Sequence, residues 1–131
     1  MDAFFGSWKV SRSENLDNFM KAIGINVKLR NAANVVKPTI STISQDDNCV
    51  LIKIQTVSHE REIRFILGEE FDEEIYGKMC KMTINLEGGK LIQVQKWGVK
   101  EAQTVREIQD GKMITTLSCD NVTAVLTYDK V

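Results

Sequence analysis

Two stretches near the start of the chain carry apolar residues at helical spacing. Asn15 can cap the first stretch and Gly24 can end it, and between them one helical face collects Leu16, Phe19, Met20 and Ile23. Asn26 can cap the second stretch and Lys37-Pro38 ends it, with an apolar face made of Leu29, Ala32, Ala33 and Val36. Because such short helices do not persist alone in water, we expect both apolar faces to pack on the rest of the protein.

Turn-forming residues divide the rest of the chain at short intervals. They are Asp46-Asp47-Asn48, Leu67-Gly68, Tyr76-Gly77, Glu87-Gly88-Gly89, Gly98, Asp110-Gly111 and Asp120-Asn121. The runs between them are rich in Val, Ile, Thr and Leu, and a further strand-like run covers Phe4 to Ser11. The pattern predicts about ten strands joined mostly as neighbours, and therefore an all-β antiparallel barrel or sandwich. No linker or internal repeat interrupts it, so we expect one domain over residues 1–131.

Two hairpin loops near the end of the chain fix which residues face each other. With Asp110-Gly111 as a two-residue loop, Arg106 pairs with Thr115. With Asp120-Asn121 as the next loop, Thr115 pairs with Leu126. We therefore expect Arg106, Thr115 and Leu126 to form one row across three strands.

Alternation along these strands separates a mostly apolar, inward face from a polar one. The inward face carries Thr104, Arg106, Ile108, Met113, Thr115, Leu117, Cys119, Val122, Ala124, Leu126 and Tyr128. In the preceding hairpin it carries Met82, Ile84, Leu86, Leu91, Gln93, Gln95 and Trp97. An unpaired charge in a packed core is costly, so Arg106 and the glutamines indicate a solvated cavity. Two explanations of Arg106 remain open: internal pairing with a carboxylate such as Glu69 or Glu70 or with backbone carbonyls, or an anion carried in from solvent.

Composition excludes several functions. The chain has 17 Lys and Arg against 18 Asp and Glu, which gives no electrostatic footprint for nucleic acid. The three cysteines are far apart, so we expect reduced thiols and no metal site. His59 is the single histidine, and Cys119 faces inward, so neither supports an activated nucleophile. The start of the chain resembles neither a signal peptide nor a membrane span, which predicts a soluble, cytoplasmic protein.

Several motifs occur in a fixed order along nearly the whole chain. They are Phe4-Phe5-Gly6-Ser7-Trp8-Lys9, Glu14-Asn15-Leu16-Asp17-Asn18-Phe19-Met20-Lys21, Lys37-Pro38-Thr39, Leu67-Gly68-Glu69-Glu70-Phe71-Asp72-Glu73, Leu86-Glu87-Gly88-Gly89-Lys90-Leu91, Gln95-Lys96-Trp97, Val105-Arg106-Glu107 and Asp110-Gly111-Lys112. By this ordered set the chain resembles the intracellular lipid-binding protein family, and within it the fatty-acid-binding proteins of the heart, adipocyte and myelin type.

The resemblance implies a ten-stranded antiparallel up-and-down β-barrel of clam shape, with a helix-turn-helix lid beside a portal. It implies a water-filled interior that holds one or two lipid molecules, without catalysis and without a cofactor. Family members carry acyl or isoprenoid ligands through the cytoplasm, and some carry them into the nucleus. In the fatty-acid-binding members two interior arginines and a tyrosine hold the carboxylate, and Arg106 and Tyr128 match the first arginine and the tyrosine.

This sequence departs from the family pattern at several positions. Leu126 stands where the second arginine is expected, and Leu16, Ile40 and Ser58 replace a usual phenylalanine, threonine and portal phenylalanine. The loop at Glu74-Ile75-Tyr76-Gly77 is one residue shorter than the pattern. One guanidinium already cancels one carboxylate, so a second arginine is not required. The family's retinol carriers have glutamines in place of the arginines, so the retained Arg106 favours an acid over an alcohol.

The faces and the resemblance together predict a site for a lipid. Arg106 and Tyr128 are expected to bind its carboxylate. The expected pocket lining is Leu16, Met20, Ile23, Ile25, Ala33, Ile40, Gln95, Thr104, Thr115, Leu117 and Leu126. The expected portal residues are Val57, Ser58, Ile75 and Tyr76.

Three functions remain open at this stage. The favoured one is a monomeric, non-enzymatic carrier of a long-chain fatty acid; the others are a carrier of another amphipathic anion, such as a retinoid or bile-type acid, and a small enzyme or adaptor. Basic residues around the lid indicate either transient contact with anionic membranes or an ordinary solvated helix face; they are Lys21, Lys28, Arg30 and Lys37.

Overall fold

The computed structural model describes residues 1–24, 40–55, 60–75 and 78–131. Within these ranges the chain forms a short 3₁₀ turn over Asp2–Phe4, one α-helix and ten strands. The helix α1 spans Leu16–Ala22, and the strands are β1 Gly6–Glu14, β2 Ile40–Asp46, β3 Cys49–Gln55, β4 Glu60–Phe65, β5 Phe71–Ile75, β6 Lys78–Glu87, β7 Lys90–Trp97, β8 Lys100–Gln109, β9 Lys112–Cys119 and β10 Val122–Lys130. The predicted second helix with Ala33, the predicted pocket residue Ile25 just before it, and the predicted portal residues Val57, Ser58 and Tyr76 lie outside the described residues.

The ten strands form one antiparallel sheet that curls into a nearly closed barrel. Its strand order is β4-β3-β2-β1-β10-β9-β8-β7-β6-β5, so every strand pair joins sequence neighbours except the pair of β1 with β10, and β4 does not pair with β5. The two ends of this order, β4 and β5, are the edges of the sheet. The expected antiparallel barrel is therefore confirmed.

Tight turns set the register of the last three strands. Asp110 and Gly111 have φ values of 52° and 77°, and Asp120 and Asn121 have 50° and 66°. Positive φ at both central residues is typical of the type I′ hairpin loop, which matches the twist of the strands it joins. The expected row is confirmed, because Thr115 pairs with Arg106 on one side and with Leu126 on the other.

Two clusters of buried side chains fill the described part of the barrel. The larger cluster comprises Phe4, Trp8, Ile43, Val50, Ile52, Ile63, Phe65, Cys80, Met82, Ile84, Leu91, Met113 and Tyr128. The smaller one joins the apolar face of α1 to β8, β9 and β10 through Phe19, Met20, Ile23, Ala102, Cys119 and Ala124. Trp97 packs against both clusters. The apolar face of α1 thus packs on the barrel as expected.

No helix in the described ranges has both the length and the apolar character that crossing a bilayer requires.

Three local details differ from the sequence predictions. The first strand begins at Gly6, because Phe4 lies in the 3₁₀ turn, where its carbonyl accepts a hydrogen bond of 2.9 Å from Nε1 of Trp8. Asn15 occupies the N-cap position of α1, but its Nδ2 donates to the Thr123 carbonyl at 2.8 Å instead of capping the helix with its side chain. Leu86 keeps the inward parity of β6, yet it is 39% exposed because it lies next to the hairpin turn.

Candidate functional site

Arg106 is a buried cation on the inner face of β8. Its side chain is almost fully enclosed, at 7% exposure, and its Nη1 donates a hydrogen bond of 2.9 Å to Oε1 of Gln93 on β7. The register brings these two side chains together, because Arg106 pairs with Leu91 and Gln93 is the next inward residue on that strand. Alternation placed Gln93 inward, but only the contact shows that it holds the guanidinium.

Arg106 has no carboxylate partner within the described parts of the chain. Glu69 and Glu70, the acids that an internal pairing would use, are both exposed, and Arg106 takes part in no ion pair there. The expected internal pairing with these carboxylates is therefore not formed. A guanidinium offers five N–H donors, and the neutral amide of Gln93 accepts from one of its nitrogens.

The electrostatics of Arg106 follow from this enclosure. Burial lowers the pKa of its guanidinium below the ordinary value, and electrostatic attraction to Tyr128 acts in the opposite direction. An arginine still stays protonated near neutral pH, so the charge persists and is poorly solvated. A buried charge that has no carboxylate partner among the described residues makes this part of the barrel a candidate site for an anion.

Further polar side chains lie on the inner faces of β7 to β10. Thr115, directly opposite Arg106 on β9, is buried, and its Oγ1 has no hydrogen-bond partner among the described residues. Gln95 and Thr104 are also buried, and Tyr128 lies two positions along β10 from Leu126. Together with Gln93, these side chains make the inner surface of the strands from β7 to β10 partly polar.

The other predicted pocket residues are distributed around the inside. Leu126 and Leu117 are half-buried on β10 and β9, and Ile40 is half-buried at the start of β2. Near α1, the partly buried Leu16 packs against the smaller cluster, to which the buried Met20 and Ile23 belong. Ile75 is the last residue of β5.

The thiols near the interior are poor nucleophiles. Burial raises the pKa of both the Cys80 and the Cys119 thiol above the ordinary value. A raised pKa leaves less of the reactive thiolate at neutral pH. Cys49, Cys80 and Cys119 are all unpaired by disulfides.

Comparison with known proteins gives this interior a context. A model of the lipocalin / cytosolic fatty-acid binding protein family matches residues 5–131, which is nearly the whole chain. The chain belongs to this family. Its expected resemblance to the fatty-acid-binding proteins is thereby confirmed, and the family is one of lipid-binding carriers.

Individual relatives of this lipid-binding chain agree in length and fold. Human fatty acid-binding protein 9 is 41% identical over 132 residues, which cover 100% of this chain and 99% of that protein. The wild-type fluorescent protein UnaG is 38% identical, with a TM-score of 0.93 over 99% of this chain and 98% of that one. A Schistosoma mansoni fatty acid binding protein in complex with arachidonic acid is 29% identical, with a TM-score of 0.93 over 100% of this chain and 98% of that one.

The buried Thr115 hydroxyl allows a test of how polar groups on the inner face affect the stability of the barrel. We expect Thr115→Val to raise the free energy of unfolding by about 1 kcal/mol, because a buried hydroxyl without a partner is replaced by a methyl group of similar size. Thr116→Val, on the opposite face of β9, is the matched control and should change stability by less than about 0.5 kcal/mol. Urea unfolding of the ligand-free proteins measures both. A clear loss of stability in Thr115→Val alone would show that the hydroxyl is bonded.

Proposed function

We propose that the protein is a non-enzymatic cytosolic carrier, which encloses a long-chain fatty acid in its barrel with the carboxylate at Arg106. The observation that carries this proposal is the buried guanidinium, whose hydrogen bond is to the neutral Gln93 and which has no carboxylate partner among the described residues. The names of the relatives support a fatty acid as the cargo, and so does the arachidonic acid complex of one of them.

The head group is held by charge and by hydrogen bonds. A carboxylate can accept two parallel hydrogen bonds from a guanidinium, and charge-assisted bonds of this kind are the strong ones. Thr115 can donate its hydroxyl, and Tyr128 adds a phenol on the next strand. One anion neutralises one cation, so the carrier needs no second arginine at Leu126.

The acyl chain is held by exclusion from water. Moving apolar surface out of water is favourable by roughly 25 cal/mol per Å², and a long chain has much apolar surface. The half-buried pocket residues Leu117 and Leu126, together with Leu16 and Met20 at α1, provide apolar contacts along its path.

Other parts of the proposal concern how the carrier operates. We propose that it acts in the cytosol, a location that the family description supports. We also propose that it acts as a monomer and that it reaches the nucleus with cargo that acts there. Transient membrane contact through the helical lid is also proposed. Lys21 on α1 is exposed, and its Nζ lies 3.6 Å from Oδ2 of Asp17, whereas Lys28, Arg30 and Lys37 are outside the described residues.

A second class of cargo follows from Leu126. The half-buried Leu126 makes the strand beside Thr115 less polar than an arginine at this position would. A less polar wall suits a bulkier amphipathic acid, such as a retinoid or a bile-type acid. Both classes carry one carboxylate, so competition against a fatty acid distinguishes them.

Calorimetry on delipidated, folded protein tests the carrier. We expect saturable heat with oleate and palmitate at one or two molecules per chain, because the buried charge gains a counter-ion and the acyl chain leaves water. Oleyl alcohol should bind more weakly, and retinoic acid and cholate should displace oleate poorly. Absence of heat with every acid, together with no displacement of a fluorescent acyl probe, would contradict the carrier function.

A further inference from the structure

A second cation, Arg61, lies on the inner face of strand β4, away from Arg106. Arg61 alternates with Ile63 and Phe65, which are both buried in the larger cluster, so its side chain leaves β4 on the inner face. Its strand partner on β3 is Ile54, which packs against the same cluster. Arg61 is therefore an inward-facing cation, and sequence alternation within Arg61-Glu62-Ile63-Arg64-Phe65 already indicates this.

Arg61 meets an acid across the open seam of the sheet. Its Nη2 lies 3.6 Å from Oε1 of Glu73 on β5, so an ion pair links the two edge strands. Phe65 and Phe71 stack across the same seam with ring centroids 6.0 Å apart. The ion pair is longer than a hydrogen bond, and Nη2 is buried without a hydrogen-bond acceptor in the part of the chain that the structure describes.

These residues belong to one row across four strands, which we name the seam row: Arg61, Glu73, Cys80 and Trp97. Glu73 pairs with Cys80 on β6, and Trp97 of β7 lies one position beyond the pair of Lys81 and Lys96. Burial raises the pKa of the Cys80 thiol, with Arg61 lowering it and Glu73 raising it, so both charges are close to the core. Nε1 of Trp97 is a second buried donor without a partner.

The seam row lies far from the head-group site along the strands. Arg106 is level with Leu91 on β7, and Trp97 lies at the other end of that strand, roughly 20 Å away at the usual rise per residue. This separation is comparable to the length of an extended long-chain fatty acid. A ligand whose carboxylate lies at Arg106 therefore brings the far end of its chain towards the seam row.

The buried donors and the paired charges of the seam row restrict which functional group the far end of the ligand can carry. Buried donors without acceptors disfavour a bare methyl group, because their desolvation stays uncompensated. Glu73 already neutralises Arg61, so a second carboxylate would meet a net charge of zero and a nearby acid. An uncharged oxygen satisfies both conditions, since it accepts a hydrogen bond without adding charge. The side chains of Arg61 and Glu73 are 31% and 25% exposed, which leaves the pair open to a ligand.

We propose that the preferred cargo is an oxygenated long-chain fatty acid, with a hydroxyl, keto or epoxide oxygen near its far end that accepts a hydrogen bond from Arg61. This inference rests on the proposed function, because the carboxylate at Arg106 sets the orientation of the ligand. Arg61 is then a specificity residue for the tail, and Trp97 is a second buried donor further along the seam row.

Calorimetry with hexadecanoate and 16-hydroxyhexadecanoate tests the proposal. We expect the wild-type protein to bind the hydroxy acid at least as tightly as the parent acid, although a hydroxyl buried without a partner would weaken binding. Arg61→Met keeps an unbranched side chain and removes the donors. This substitution should lower the affinity for the hydroxy acid by about tenfold and the affinity for the parent acid by less than about twofold. Arg64→Met, on the exposed face of β4, is the matched control and should leave the ratio of the two affinities unchanged.

A second variant covers the case in which Arg61→Met does not fold. Glu73→Gln removes the acid but keeps the guanidinium, so the seam row gains a net positive charge. We expect the affinity for hexadecanedioate relative to 16-hydroxyhexadecanoate to rise by about tenfold at pH 7.

The outcomes separate this proposal from the carrier function. If hexadecanoate binds but neither variant changes a ratio, the tail site is overturned and the carrier stands. If wild-type protein rejects the hydroxy acid while binding the parent, the tail site is also overturned. If neither acid binds, both the carrier function and the tail site are overturned.

Discussion

Replacing Arg106 by glutamine is expected to weaken oleate binding by about 10- to 100-fold and to leave the binding of oleyl alcohol nearly unchanged. The guanidinium is enclosed on the inner face of β8, where water competes poorly for its hydrogen bonds. Only the acid carries a negative charge, so only the acid can accept a charge-assisted hydrogen bond from Arg106. Calorimetry with the acid and the alcohol measures the two losses side by side.

The same substitution should stabilise the empty barrel. In the ligand-free protein the charge of Arg106 is held by the amide of Gln93, so its removal should raise the free energy of unfolding by about 1 kcal/mol or more. Arg64→Gln is the matched control, because Arg64 is exposed and pairs with Asp46 on the outside. Equal losses for acid and alcohol, together with a lower melting temperature, would show that Arg106 is a structural residue.

Placing an arginine at Leu126 is expected to act in the opposite direction. In Leu126→Arg two like charges would share the interior on either side of Thr115, so the free energy of unfolding of the empty protein should fall by about 2 to 4 kcal/mol. Oleate should then raise the melting temperature of the variant more than that of the wild type, because a ligand that binds only the folded state stabilises it by mass action.

Thermal melting with and without oleate measures both effects of the substitution at Leu126. Thr123→Arg provides the control, since Thr123 is exposed on the same strand and on the opposite face. An unchanged melting temperature of the empty protein, with unchanged oleate affinity, would place residue 126 outside the ligand chamber.

Much of the barrel was predictable because its turns are local. The loops at Asp110-Gly111 and Asp120-Asn121 contain the residues that adopt positive φ, and two-residue loops leave one register. That register alone aligns Arg106 with Thr115. By contrast, the 3₁₀ turn before Gly6 depends on the Trp8 contact with the Phe4 carbonyl, and the side chain of Asn15 depends on a carbonyl in β10. The alternation of apolar and polar residues records neither contact, and the second joins residues that lie 108 positions apart in the sequence.

The candidate site was predictable in part for the same reason. Alternation identified the inward side chains, including Gln93, whereas the hydrogen bond between Gln93 and Arg106 depends on rotamers. The ion pair of Arg61 and Glu73 joins two strands that share no backbone ladder, so no hairpin register connects them. Exclusion of Glu69 and Glu70 as partners of Arg106 likewise needed the path of the chain between β4 and β5.

The pairing of β1 with β10 also bears on the order of events during synthesis. The second half of β1, from Arg12 to Glu14, pairs in the described structure with β10, and α1 packs its Phe19 and Met20 beside Ala124 of the same strand. Every other strand pair joins sequence neighbours and can form as soon as its hairpin leaves the ribosome. The contacts of β1 and α1 with β10 are thus among the last to form, and closing that long loop has an entropic cost that the local hairpins avoid.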